Sequence, residues 1–309
     1  MFLTVTLNPA LDKTLSVDRN APQETLRATR VIDLAGGKGV NVARAVHALG
    51  GRARALMPLA GHSGAHLADL ARAEGLEVAG VPVAGQSRTA ITIQDAETGN
   101  YWHYLEPGPQ LREQDLTRLR EGYLWALEGC HTVAICGSLP SPSAATLLPW
   151  MVRTAKERRV RVALDAFGPL NRPALEAGPW FAKPNDYEWQ TTFGEVLETE
   201  AQRWKALERL ADWGIRLGVL SLGAEGALAL AEGERYRVLP PRVAEVNDLG
   251  GGDSMVAGIC WAAAEGYPLR ESLAWGAACG AANAEVWDPG GIQRSRVEQL
   301  LSEVEIRPE

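Results

Sequence analysis

The sequence predicts an α/β protein whose mostly parallel sheet is covered by helices on both faces, with a small second sheet set apart from it. Three observations carry this. From Leu111 onward helical and strand-like segments alternate, the rhythm of βαβ units. Two glycine-rich stretches, 35–39 and 250–252, run directly into small-residue helices. Between 76 and 106 that rhythm is interrupted. Short alternating segments there flank the turn Ala96-Glu97-Thr98-Gly99-Asn100, which reads as a hairpin.

In chain order, residues 3–8 alternate and are β-rich, a first strand, and Asn8-Pro9-Ala10-Leu11-Asp12 follows as a turn presenting Asp12. A helix is expected up to Leu49, ended by Gly50-Gly51, then a buried strand at 52–60 and a helix at 61–75. His62 and His66 share one face of that helix, but no third ligand accompanies them, so they read as surface histidines. Segments 14–18 and 30–33 join the 90–105 hairpin in the small sheet, with Arg88 at its entry. Helices at 112–128, 142–159 and 200–213 alternate with strands at 131–136, 160–166, 180–182 and 217–222. A hairpin at 228–239 and apolar helices at 254–264 and 273–287 complete the pattern, with Trp261, Trp275 and Trp287 read as core. In an open parallel sheet, ligands bind at the carboxyl ends of the strands. Asp12, Ser138, Asp165, Lys183 to Asn185, and Ser221 to Gly223 all fall at such ends.

The chemistry concentrates at Asn247-Asp248-Leu249-Gly250-Gly251-Gly252-Asp253-Ser254. Glycines let amides approach a ligand, and a helix N-terminus adds unpaired N–H donors, so the stretch suits phosphate. Asp253 is costly in an anion site unless it accepts a proton from an attacking hydroxyl; the structural alternative is a helix N-cap. Ala35-Gly36-Gly37-Lys38-Gly39-Val40-Asn41-Val42-Ala43-Arg44 is a second anion-site candidate. It is not a Walker A loop, because Ile32 and Gly39 stand where Gly and Ser or Thr are needed. Asn185 and Glu188 have the spacing of a capping box, which the residues alone favour, and the same spacing suits oxygen ligands for Mg²⁺.

Together the two glycine stretches resemble the paired signatures of the PfkB (ribokinase-like) carbohydrate kinases, and the resemblance runs from Leu3 to about Leu301. It implies a ribokinase-like three-layer α/β/α fold with a β-sheet lid. The expectation is one kinase domain over 1–309, with lid segments at about 12–33 and 86–106. It implies ATP and Mg²⁺, with Asp253 as base and the amides of Gly250, Gly251 and Gly252 as anion hole. Asp12, Gly37 and Asn41 would hold sugar hydroxyls, with Ser138 nearby. Lys38 and Arg88 would take a substrate phosphate. Lys183, Asn185, Ser221, Gly223, Gly226 and Asn283 would contact nucleotide, and Asn185 and Glu188 the metal. A homodimer through the lid is also implied. Members that use fructose 6-phosphate tend to carry an arginine where this chain reads Trp102-His103-Tyr104, so fructose 1-phosphate is the expected acceptor. Tagatose 6-phosphate is the alternative. A non-catalytic sugar-phosphate sensor is a third reading, hinted at by Asp248, which stands where the signature has Thr, Ser, Pro or Val.

Composition excludes other classes. A net charge of −7 and a pI of about 5.4 argue against nucleic-acid binding. No apolar run approaches membrane-spanning length, and the start lacks a basic n-region, so a cytoplasmic protein is expected. Cys130, Cys136, Cys260 and Cys279 lack CxxC spacing and read as reduced core thiols.

Overall fold

A computed structural model describes residues 1–247 and 249–309; the departure noted at Asp248 therefore lies outside the described residues. The chain opens with β1 (Phe2–Thr6), every residue buried. It then enters the small sheet through β2 (Ala10–Val17) and β3 (Arg30–Gly36) and turns into α1 (Lys38–Ala48). Next come β4 (Ala53–Ala60), α2 (Gly61–Ala73) and β5 (Glu77–Val83), followed by the hairpin β6 (Arg88–Asp95) and β7 (Tyr101–Leu105). The alternating region gives α3 (Glu113–Ala126), β8 (Thr132–Gly137), α4 (Leu147–Glu157), β9 (Arg161–Ala166), α5 (Arg172–Glu176) and β10 (Phe181–Ala182). It continues with α6 (Asp186–Phe193), α7 (Glu200–Asp212), β11 (Leu217–Ser221), β12 (Ala227–Ala231) and β13 (Glu234–Leu239). The chain ends with α8 (Gly251–Ala264), α9 (Leu269–Ala284), α10 (Arg294–Leu301) and β14 (Glu305–Pro308).

The large sheet has ten strands in the order β14-β13-β12-β11-β10-β9-β8-β1-β4-β5. It is parallel from β11 to β5 and antiparallel at the β12–β14 end. Separate apolar clusters fill its two faces, which is the expected three-layer arrangement. The small sheet, β3-β2-β6-β7, stands apart.

Two expectations are corrected. Asp12 lies inside β2, not in a turn, because β2 begins at Ala10 and pairs on both edges, with β3 and β6. The helix expected at 254 begins at Gly251, so Asp253 sits at its third position and is not its N-cap; Gly250 takes that place in the left-handed region, φ 84°. Glycine also sets how closely α8 packs on α9. A Cβ on Gly258 would meet Trp275 O at 2.7 Å, and one on Gly276 would meet Ile259 Cγ1 at 2.6 Å. All four cysteines are free and buried.

Candidate active site

Neighbouring parallel strands deliver the polar residues in a row along one sheet edge. Asn8 follows β1, Ser138 follows β8, Asp165 lies on β9, Lys183 follows β10 and Ser221 ends β11. Asn8 Nδ2 donates to Ser138 Oγ at 3.2 Å. Two helix N-termini, α1 and α8, close on this edge, and the lid strand β2 brings Asp12 from the other side.

Asp253 is 5% exposed. Asn41 Nδ2 donates to its Oδ2 at 2.8 Å. Burial raises its carboxyl to about 6; Lys38, the Asn41 hydrogen bond and Lys183 oppose that rise and Asp165 adds to it. A carboxylate held near 6 accepts protons better than an ordinary aspartate does. The α8 first-turn amides have no intrahelical acceptor and carry the positive end of the dipole. Lys183 is 2% exposed, stands 3.4 Å from Asp165 Oδ1, and would lie 3.1 Å from a Cβ on Gly252. An ammonium therefore faces the glycine amides.

Lys38, expected at a substrate phosphate, lies among carboxylates. Its ammonium pairs with Asp165 at 3.1 Å and with Glu188, and lies 5.4 Å from the Phe167 ring centroid. Burial opposes its charge, but Asp165 and Glu188 outweigh that and hold it well above the ordinary lysine range. Burial likewise raises Asp165, yet Lys183 and Lys38 together keep it below the usual carboxylate value. Lys38 thus sits with Asp165 and Glu188 at the strand ends, while Arg88 sits with Asp12 on the small sheet.

Asp12 is pushed up to about 6 by burial, against the pull of Arg88 and Arg44. Arg88 Nε donates to Asn8 O at 3.2 Å, and its desolvation lowers it despite Asp12. Gly37, at φ 109°, joins the lid to α1, where a Cβ would meet Thr6 Cγ2 at 2.7 Å. A Cβ on Gly36 would come within 2.0 Å of Asp12 Oδ2. Gly36→Ala is therefore expected to displace that carboxylate and raise KM for the sugar by about tenfold or more, leaving the thermal midpoint nearly unchanged. An unchanged KM would show that Asp12 does not touch the sugar.

Asn185 and Glu188 form a reciprocal capping box on α6, with Glu188 N donating to Asn185 Oδ1 at 2.8 Å and Asn185 N to Glu188 Oε2 at 3.1 Å. Among the described residues no group of three or more His, Cys, Asp or Glu could hold a metal. These hard oxygens fit Mg²⁺ held chiefly by phosphate and water, without a dedicated protein cage. Asn185 and Ser221 bridge neighbouring strand ends and line a cavity of about 240 Å³ with Tyr187, Arg203 and Glu225. Gly223 flanks it in open space at φ 60°. Gly226 answers to packing, since a Cβ there would lie 2.0 Å from Val238 O.

Asn283, expected near nucleotide, is a buried brace of the glycine turn. It is 0% exposed; its Oδ1 accepts from Ser254 Oγ and Gly290 N, and its Nδ2 donates to Leu249 O. It holds the glycine turn from behind. His62 and His66 are exposed, and His66 Nε2 lies 3.5 Å from Asp33. Arg44 was missed by the sequence reading. It bonds Asn41, and its only sequence signal was the i,i+3 spacing on α1.

A buried base, an amide-lined helix N-terminus and flanking lysines, opposite a lid that carries Asp12 and Arg88, suit transfer of a phosphoryl group to a sugar hydroxyl. The sequence pattern described as pfkB family carbohydrate kinase matches residues 5–290. The protein is a sugar-phosphate kinase of the phosphofructokinase type. Its chain is 33% identical over 305 residues to the ATP-dependent 6-phosphofructokinase isozyme 2 of Mycobacterium tuberculosis, covering 97% of this chain and 88% of that protein. It is 29% identical over 306 residues to the 1-phosphofructokinase of Bacillus subtilis, covering 99% of each. The tetrameric inhibited form of Escherichia coli phosphofructokinase-2 superposes with a TM-score of 0.90 at 29% identity, over 98% of both chains. The same enzyme in complex with fructose-6-phosphate gives 0.88. The chain belongs to the pfkB family of carbohydrate kinases, whose members use ATP. No helix among the described residues is long and apolar enough to cross a membrane.

Proposed function

We propose that this protein transfers the γ-phosphoryl group of ATP to the free primary hydroxyl of a fructose monophosphate, fructose 1-phosphate first, giving fructose 1,6-bisphosphate and ADP. The observation that carries the reading is the meeting of buried Asp253, its Asn41 donor and the glycine-started α8 with Lys38, Lys183 and Asp165. The acceptor oxygen attacks the γ-phosphorus, the bond to the β-phosphate bridging oxygen breaks, and the hydroxyl proton passes to Asp253. Little covalent work falls to the protein, so positioning and charge stabilisation dominate. Amides of Gly250, Gly251 and Gly252 hold the equatorial oxygens, each well-placed donor contributing about 3 kcal/mol. Lys38 and Lys183 neutralise the transferring charge. Mg²⁺ arriving with the nucleotide would neutralise the triphosphate, with Asn185 and Glu188 holding its water shell.

On the lid, Asp12 orients sugar hydroxyls and Arg88 binds the substrate phosphate through its planar fork. His103 shares their side of the sheet through the pairings Asp12↔Ala90 and Thr92↔His103. A second reading, fructose 6-phosphate, is favoured by the names of the Mycobacterium and Escherichia relatives. The small sheet is read as the lid of a single kinase domain. Its opposite face exposes Val31, Trp102 and Tyr104, an apolar patch suited to pairing of two copies.

ADP release from Mg-ATP, assayed in parallel with fructose 1-phosphate, fructose 6-phosphate, tagatose 6-phosphate and fructose, tests this. One phosphate ester should dominate kcat/KM, and Arg88→Ala should raise KM for it by about tenfold or more. Activity on free fructose alone would overturn the phosphate site. Ligand binding without ADP would support the sensor.

A further inference from the structure

We propose that Arg44 is a positioning residue for the base: its guanidinium fixes the Asn41 amide in the one orientation that presents Nδ2 to Asp253. The inference rests on the reading of Asp253 as proton acceptor. Arg44 Nη1 donates to Asn41 Oδ1 at 3.0 Å, and Asn41 Nδ2 donates to Asp253 Oδ2 at 2.8 Å. A guanidinium offers only donors and an ionised carboxylate only acceptors. Between these two neighbours the amide therefore has a single satisfied orientation.

Arg44 is itself immobilised. Its remaining donors go to both Glu74 oxygens, to Pro289 O, and to Ala35 O at 2.6 Å, so all five N–H groups are used. Each partner belongs to a different part of the site. Ala35 lies next to the end of the lid strand β3, and Glu74 follows α2. Pro289 packs on the glycine turn, where a Cβ on Gly250 would meet its Cβ at 2.6 Å. One planar group thus ties lid, helix and anion hole to the amide that touches the base.

Loss of the guanidinium has a definite sign. A flipped Asn41 offers Oδ1 to Asp253, which accepts a hydrogen bond from the protonated acid and so favours the inactive form. The other groups acting on Asp253 are Lys38 from α1, Asp165 on β9 and Lys183 beyond β10. Cys136 on β8 and Asp12 on the lid also interact with it. Arg44 additionally lowers Asp12 by its charge. A lysine preserves that charge and removes the planar fork, which separates geometry from field.

The test is kcat against pH, from about pH 5.5 to about pH 9, with saturating Mg-ATP and whichever sugar phosphate the wild type turns over. The variants are Arg44→Lys, Arg44→Met, Asn41→Ala and Glu74→Gln. Arg44→Lys and Asn41→Ala should each move the acid limb upward, lowering kcat about tenfold near pH 6 and recovering at alkaline pH. The double variant should move it no further than either alone, because both break one link. Glu74→Gln should give a smaller shift of the same sign, and it carries the test if the Arg44 variants fail to fold. A uniform loss at every pH, an additive double variant, or an unmoved limb in folded Glu74→Gln would overturn the role. Wild-type protein that turns over no sugar phosphate would overturn the reading of the site, and this role with it.

Discussion

Asp253→Asn is expected to lower kcat by about a thousandfold or more, with ATP affinity nearly unchanged and the fold intact. The substitution keeps volume and helix while removing the basic lone pair. The pH profile supplies the sharper signature. Burial holds the Asp253 carboxyl near 6, and only the deprotonated form accepts the hydroxyl proton. Wild-type kcat should therefore rise with pH through about 6, and the Asn variant should lose that limb. Near-normal turnover of the variant, or an unchanged limb, would exclude Asp253 as the base. Nucleotide binding by calorimetry separates the two steps, because the carboxylate contributes nothing favourable to holding an anion.

Lys38→Met is expected to have the second-largest effect, on stability as well as rate. The Lys38 side chain is 25% exposed, but its partners are not: Asp165 is at 1% and Glu188 at 7%. Removing Lys38 leaves the buried Glu188 without its ammonium and Asp165 with Lys183 alone, at about 3 kcal/mol. Unfolding should show a lowered denaturant midpoint at neutral pH, partly restored by combining Lys38→Met with Glu188→Gln. The rate should fall mainly in kcat, since the ammonium faces the phosphoryl group; Arg88→Ala should act mainly on KM. A Lys38→Met variant with normal kcat and a raised sugar-phosphate KM would return the lysine to the substrate phosphate.

What could be read from the sequence was what is locally encoded. Glycine runs before small-residue helices announce α1 and α8, because turn chemistry and helix starts depend on adjacent residues. The alternating region was legible for the same reason. The first part of β2 was not, since Ala10 to Asp12 take strand form only by pairing with β3 and with β6, whose partner residues begin at Arg88. β14 is four residues long and pairs only with β13, leaving no periodicity to detect. In the site, residue types were readable but pairings were not. Lys38 meets carboxylates 127 and 150 positions away, and Asn41 reaches Asp253 across 212. Asn283 was expected near nucleotide from the resemblance alone. Its burial shows another use of a polar side chain, which is to satisfy backbone groups of a tight loop.

The lid strand β3 ends at Gly36 and α1 begins at Lys38, leaving Gly37 as the single residue between the sugar-facing sheet and the lysine that faces phosphate. With one residue of slack, a shift of the lid end of β3 would be felt at the first winding of α1. If sugar and nucleotide bind where proposed, such a link would let the two binding equilibria share a common free energy. Linkage makes that sharing reciprocal: whatever factor the sugar phosphate contributes to nucleotide affinity, nucleotide returns to the sugar phosphate.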